Sequence, residues 1–227
     1  MITDADILYL DNHLIAINKK PGQIAQSDKT GDTSLVEEVS AYIKQKFEKP
    51  GNVYLGLLHR IDRPVSGVLL FARTSKAAER MSAAIQQRAL HKTYWVVVKN
   101  KPPKDADTLN HYLIKNEQQN KSYITTANKP NAKQASLSYT LLQTLHRYYL
   151  LEVVIHTGRH HQIRAQLSAI GCPIKGDLKY GFDRSNTNGS IHLHARSLSF
   201  IHPVTGVQIT ITAPPPSDPI WQACLQV

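Results

Sequence analysis

Short apolar alternations dominate the chain, with only a few helical stripes between them. "ILYLDNHLIAINKKPG", from Ile7 to Gly22, carries two apolar runs joined through Asp11-Asn12-His13 and ended by Pro21-Gly22, the pattern of a β-hairpin. In "SLVEEVSAYIKQKF" the residues Leu35, Val36, Val39, Ile43 and Phe47 keep helical spacing, and Ser34 with Glu37 forms a capping-box signature. A second helix is expected over Lys76 to Arg88, with Ala77, Ala78, Met81 and Ile85 turned to the core. "VLLFA", Val68 to Ala72, is long enough for a buried strand and too short for a helix, and "KTYWVVVKN" reads as another strand.

From Lys101 to Ala135 the chain becomes rich in Pro, Asn, Gln and Lys and poor in apolar side chains, which predicts a loop-rich excursion or the joint between two halves of the fold. Beyond it, "LSYTLLQTLHRYYLLEVVIHTG" predicts two longer strands around Thr144 to Arg147. "HHQIRAQLSAIG" predicts a helix stopped by Gly171, with Thr157 as its cap and His160 and Arg164 on one face. "HLHARSLSFIHPVTGVQITITAP" predicts a strand, a turn and a strand, and "PPPSDP" closes regular structure before a short tail around Trp221. The pattern is a mixture of α and β without repeats, expected as one domain over residues 1–227, with any division into subdomains near 101–135.

Composition narrows the class. The chain has 227 residues, enough for a sizeable core, and only two cysteines, Cys172 and Cys224, neither in a C-x-x-C pair. Isolated thiols suggest a reducing compartment, and the acidic Asp4 and Asp6 stand where a signal peptide carries basic residues. No apolar run approaches a membrane span, so a cytoplasmic protein away from membranes is expected. Lys and Arg number 27 against 17 Asp and Glu, a net charge of +10, which makes nucleic acid the natural partner without separating DNA from RNA. The excess concentrates between Gln118 and Leu151, a stretch with no acidic residue that holds Lys121, Lys129, Lys133 and Arg147.

Candidate chemistry gathers in three stretches. In "HRIDRPVSG", Asp62 stands at the mouth of a buried strand; Pro64 stiffens the loop and biases Arg63 toward an extended shape, and Gly67 permits a turn. The bland alternative is a surface Arg-Asp-Arg ion pair. Lys92 and Tyr94, two apart on a strand, leave the same face, although a strand tyrosine is often packing. In "HTGRHHQIRAQ" Arg164 is a candidate partner for Asp62, since a catalytic carboxylate must stay ionised and burial opposes that. Gly158 and the first amides of the helix are placed to cradle a phosphate. His156, His160, His161, His192 and His194 invite a metal reading, but the spacing is not H-E-x-x-H, and no G-x-S-x-G elbow marks a hydrolase.

Taken together, "HRIDRPVSGVLLFA", "KTYWVVV", "TGRHHQIRAQL", "GCPIKGDLKYG" and "LHARSLSFIHPVTG", in that order after "NKKPG", resemble the RluA-type pseudouridine synthases, which isomerise uridine in ribosomal or transfer RNA. The resemblance implies an α+β fold with a central, largely antiparallel sheet flanked by helices and an RNA-binding cleft. It implies Asp62 as the catalytic carboxylate, Tyr94 against the flipped base, Arg164 paired with Asp62, and Arg60 filling the space left in the RNA stack. RNA contacts are expected from Arg60, Arg63, Lys92, Arg159 and His160, and a base pocket from Ile163 and Leu198. No metal or organic cofactor is implied, and a monomer acting on RNA is expected.

Ile61 and Val65 stand where the family usually shows Leu and Thr, changes that activity should survive. The resemblance begins within the first twenty or so residues, so no small N-terminal RNA-binding domain of the S4 kind is expected, and substrate choice would rest on the catalytic domain, with 118–151 as part of the contact. The competing readings are an RNA-binding module that keeps the fold without the chemistry and, behind it, a metal-dependent hydrolase.

Overall fold

In the computed structural model, which describes residues 1–27 and 31–225, the fold is α+β. In chain order its strands are β1 (Ile7–Leu10), β2 (Leu14–Lys19), β3 (Gly56–Leu57), β4 (Ser66–Ala72), β5 (His91–Val98), β6 (Ala106–Asn116), β7 (Lys121–Thr125), β8 (Lys133–Thr144), β9 (Tyr149–Ile155), β10 (Leu193–Ile201) and β11 (Gln208–Thr212). Its helices are α1 (Leu35–Lys46), α2 (Ser75–Gln86), α3 (Gln162–Ala169) and α4 (Pro219–Cys224). The chain forms two compact units, one from Met1–His91 and Ala195–Pro215, the other from Lys92–His194 and Pro216–Val227. The division therefore follows chain passages after His91, His194 and Pro215, not a joint near 101–135.

In the first unit the β1–β2 hairpin forms as its turn residues dictate, because Asp11 Oδ1 accepts the N–H groups of His13 and Leu14, both at 2.7 Å, and holds the turn closed. Strands run in the order β1-β2-β4-β10, with β11 on β10 and β3 on β4. This central position buries every residue of β4. Leu14, Ala16, Val68 and Leu70 on one face pack with Ala77 and Met81 of α2 and with Phe200 and Ile211. Leu35, Val39 and Ile43 of α1 are buried, as are Ile15, Ile17, Leu69 and Phe71 on the opposite strand parity.

Both helices start as their caps require. The Ser34 hydroxyl accepts the Glu37 N–H while Glu37 Oε2 accepts the Ser34 N–H at 2.7 Å, and Thr74 Oγ1 accepts the Ala77 N–H at 3.2 Å. Phe47, expected on the core stripe of α1, instead caps its C-terminus on the surface, under the Arg73 guanidinium. Gly67 is also reassigned, because it sits within β4 and not in a turn. Its φ is +116°, and a Cβ there would come within 2.3 Å of the Ala195 carbonyl oxygen, so the glycine lets β10 approach.

The second unit carries strands in the order β5-β9-β8-β6-β7, with the β5–β9, β8–β9, β6–β8 and β6–β7 pairings antiparallel. The stretch 101–135, expected as loop or joint, is instead mostly β6, β7 and the start of β8. Its polar composition is that of strands with one solvated face: along β6 only Leu109 and Leu113 are buried. Leu113 packs with Ala135, Tyr180 and Ala165 of α3. Beyond "PPPSDP" the tail is a short helix, α4, begun by Pro219 and capped by Asp218, which buries Trp221 and Cys224 against Val97 and Leu150. Among the described residues no helix is long and apolar enough to cross a membrane.

Candidate active site

Asp62 lies half-buried in the loop between β3 and β4. Lys19, the last residue of β2, grips the backbone of that loop. Its fully buried Nζ donates to the carbonyls of Val65 at 2.7 Å, Arg63 at 3.1 Å and Lys20 at 3.1 Å, so the three N–H groups of the ammonium meet three acceptors. The Val65 N–H donates to the Asp62 carbonyl at 3.0 Å, and the Gly22 N–H donates to the Arg63 carbonyl at 2.8 Å. Burial pushes Lys19 down to about 7, against the attraction of the nearby Asp62 carboxylate and with the repulsion of Arg63. The amine therefore sits near the carboxylate, bonded to the backbone that carries it. The sequence motifs assign Lys19 no role, although strand parity places it with the buried Ile15 and Ile17, an unusual place for a lysine.

Arg63 turns to Asp32, with Nη2 2.7 Å from Oδ2 and both side chains about half exposed, while Arg60 lies on the surface. Arg63 is therefore in a surface ion pair, but with Asp32, a different acid from the Asp62 of the bland reading.

On β5, Tyr94 is buried, and Lys92 shares its side of the strand. Burial pushes Lys92 down to about 8.

The third stretch differs from its expected form. Helix α3 begins at Gln162, because His161 adopts a left-handed φ of 52° just before it. Thr157 is therefore not its cap; its hydroxyl donates to Gln162 Oε1 at 2.7 Å, which also accepts the Arg159 N–H at 3.0 Å. One of the amides expected to cradle a phosphate is thus already used. His160 precedes the helix and so shares no helix face with Arg164; its ring stacks on His161 at 3.8 Å, and its Nδ1 lies 2.9 Å from the Ser122 hydroxyl. Arg159 Nε donates to the Gln134 carbonyl at 2.9 Å, and Ile163 is buried.

Arg164 makes a two-point pair with Asp177: Nε donates to Oδ2 at 2.7 Å and Nη2 to Oδ1 at 2.9 Å, with side-chain exposures of 6% and 1%. The Tyr180 ring lies 5.0 Å from the guanidinium carbon. The Tyr180 hydroxyl accepts the Ser122 N–H at 2.8 Å and stands 3.0 Å from His161 Nδ1. Burial, with Arg164 and His160 adding to it, pushes His161 down to about 2, so that ring stays neutral. Asp177 and Tyr180 both come from "GDLKYG", part of a stretch that carries the family resemblance without a role for any single residue.

Other expectations resolve plainly. Leu198, expected at the base pocket, is 1% exposed within the first unit's core, with Leu14, Leu70 and Phe200. His156 bonds the Ser138 hydroxyl at 2.8 Å, and His192 lies 3.3 Å from Asp218 and 3.1 Å from Asn186. Among the described residues no three His, Cys, Asp or Glu side chains gather as a metal site.

A family model described as RNA pseudouridylate synthase matches residues 13–169, a span that includes Asp62, Tyr94 and Arg164. The chain belongs to the RNA pseudouridylate synthase family. Its activity is therefore the isomerisation of uridine to pseudouridine in RNA. Among curated relatives of this synthase, the tRNA pseudouridine synthase C of Haemophilus influenzae is 32% identical, over 96% of this chain and 95% of its own. The ribosomal large subunit pseudouridine synthase C of Rickettsia bellii is also 32% identical, over 95% of this chain and 70% of its own. The fold matches the structure of human RNA pseudouridylate synthase domain containing 4 with a TM-score of 0.81, at 22% identity, over 97% of this chain and 92% of that one.

Proposed function

We propose that this synthase uses Asp62 as its catalytic carboxylate, Arg164 as the cation that pairs with it, and Tyr94 as the surface that receives the flipped uracil. The family match over residues 13–169, which contains all three, carries the reading. In the reaction the N1–C1′ bond breaks, the uracil turns, and a C5–C1′ bond forms; C5 releases a proton and N1 gains one, with no oxidant or reductant. Asp62 acts at C1′, either as nucleophile or in assisting uracil departure, and Tyr94 helps to remove the C5 proton. The grip of Lys19 on the loop backbone supports the role of Asp62, because a reacting group held in place reacts without an ordering cost.

The substrate is structured RNA, ribosomal or transfer. Flipping a base out of a stack costs a few kcal/mol, which phosphate and pocket contacts offset. Arg60 fills the vacated space, and Arg63, Lys92, Arg159 and His160 contact the backbone, with Ile163 against the base. Exposed Lys129, Lys133 and Arg147, in the stretch without acidic residues, extend the contact. The synthase acts as a monomer in the cytoplasm, a setting consistent with Cys172 and Cys224 as free, buried thiols.

Tritium release from RNA labelled at uridine C5 tests the chemistry. Wild type should release tritium in the presence of chelator, and Asp62→Asn should not. Release by Asp62→Asn would overturn the assignment, and a wild-type protein that binds RNA without release would favour the non-catalytic reading. Mapping pseudouridine across total RNA with and without the protein identifies the target site.

A further inference from the structure

We propose that Asp177 is a positioning residue of this synthase: its two hydrogen bonds to Nε and Nη2 fix the plane of the Arg164 guanidinium in the orientation from which Arg164 serves Asp62. The inference rests on the assignment of Arg164 made above and adds a residue to it.

The geometry is that of a fork meeting a fork. Two parallel N–H···O bonds, at 2.7 and 2.9 Å, set both the direction and the rotation of a planar group, which a single bond does not. The Tyr180 ring, 5.0 Å from the guanidinium carbon, limits its tilt. Asp177 is itself held: its N–H donates to the Ile174 carbonyl at 3.0 Å, and its own carbonyl accepts the N–H groups of Tyr180 at 3.1 Å and Phe182 at 3.0 Å. Tyr180 is tied in turn to β7 through Ser122 and to the start of α3 through His161.

A buried ion pair is a costly way to fasten a loop to a helix, since apolar side chains of similar volume often serve stability as well. What the pair supplies that packing does not is orientation. A guanidinium carries five N–H groups, and Asp177 takes two of them along the Nε–Nη2 edge, leaving Nη1 directed elsewhere.

The test is a double-mutant cycle on the single-turnover rate of tritium release, with enzyme in excess so that the rate constant does not depend on the fraction of active protein. Asp177→Asn and Arg164→Lys should each slow the step about 100-fold, as misplacement of a reacting group does. The double variant should be no slower than the slower single one, because both changes remove the same interaction. Affinity for RNA should change little. Asp177→Glu keeps the charge and displaces the fork, so it should slow the step less than Asp177→Asn; if Asp177→Asn does not fold, a wild-type rate for Asp177→Glu overturns the proposal and a slowed rate with intact RNA affinity supports it. A wild-type rate for Asp177→Asn, or a double-variant loss equal to the product of the single losses, also overturns it. Loss of tritium release by Asp62→Asn alongside a normal Asp177→Asn would sink this inference alone, whereas release by Asp62→Asn would sink the assignment beneath it.

Discussion

Asp62 and Arg164 are anchored by opposite means. In the first unit the loop that carries the carboxylate is held through its backbone, as Lys19 bonds the carbonyls of Arg63 and Val65 there and that of Lys20. In the second unit the guanidinium is placed through its own side-chain atoms, by a two-point pair with Asp177 and the Tyr180 ring beneath it. A short carboxylate has few rotatable bonds, so fixing its backbone nearly fixes its charge. An arginine has a long flexible stem, so its charge stays mobile unless the terminal group itself is held.

The contrast can be tested at several points. The largest effect is expected from Asp177→Ala, which removes the carboxylate from a buried two-point pair and should lower the unfolding free energy in urea by about 3–5 kcal/mol. Lys19→Met should cost less, about 2 kcal/mol, because the orphaned carbonyls are partly offset by relief from burying an ammonium. It should still slow tritium release, since the loop loses its tether. Equal or reversed stability losses in the two variants would mean that the two anchors do not differ as described.

Lys92 adds a test through pH. Burial pushes it down to about 8, so in the free protein the ammonium proposed to bind phosphate is present below that pH and lost above it. Lys92→Met should weaken RNA binding about tenfold at pH 7, a difference of about 1.4 kcal/mol. The ratio of the two dissociation constants should shrink as pH rises from 7 to 9. A constant ratio would show that Lys92 does not bind as a cation. The smallest effect belongs to Arg63→Gln, which breaks a half-exposed pair with Asp32 and should change stability by less than about 1 kcal/mol. A larger loss there would mean that the loop depends on its surface as well as on Lys19.

Much of the fold is legible in the sequence. The β1–β2 hairpin, the Ser34–Glu37 capping box, β4 and β5 follow from turn chemistry, helix caps and apolar runs, all of which act over a few residues. The hairpin of β6 and β7 is hidden because its polar composition outweighs the alternation of Leu109 and Leu113. Thr157 fails as a cap because the Gln162 side chain captures it, an interaction no cap pattern encodes. Leu198 belongs to the core, as strand leucines generally do.

By itself, then, the order of residues determined the local elements, the excess of positive charge, and the candidacy of Asp62, Tyr94 and Arg164. Tertiary structure alone decided what holds two of them: that Lys19 bonds two carbonyls of the Asp62 loop, and that Arg164 pairs with Asp177. The reason is physical. Periodicity and turn chemistry report neighbours along the chain, whereas a buried charge takes its meaning from the partners that folding brings to it from elsewhere.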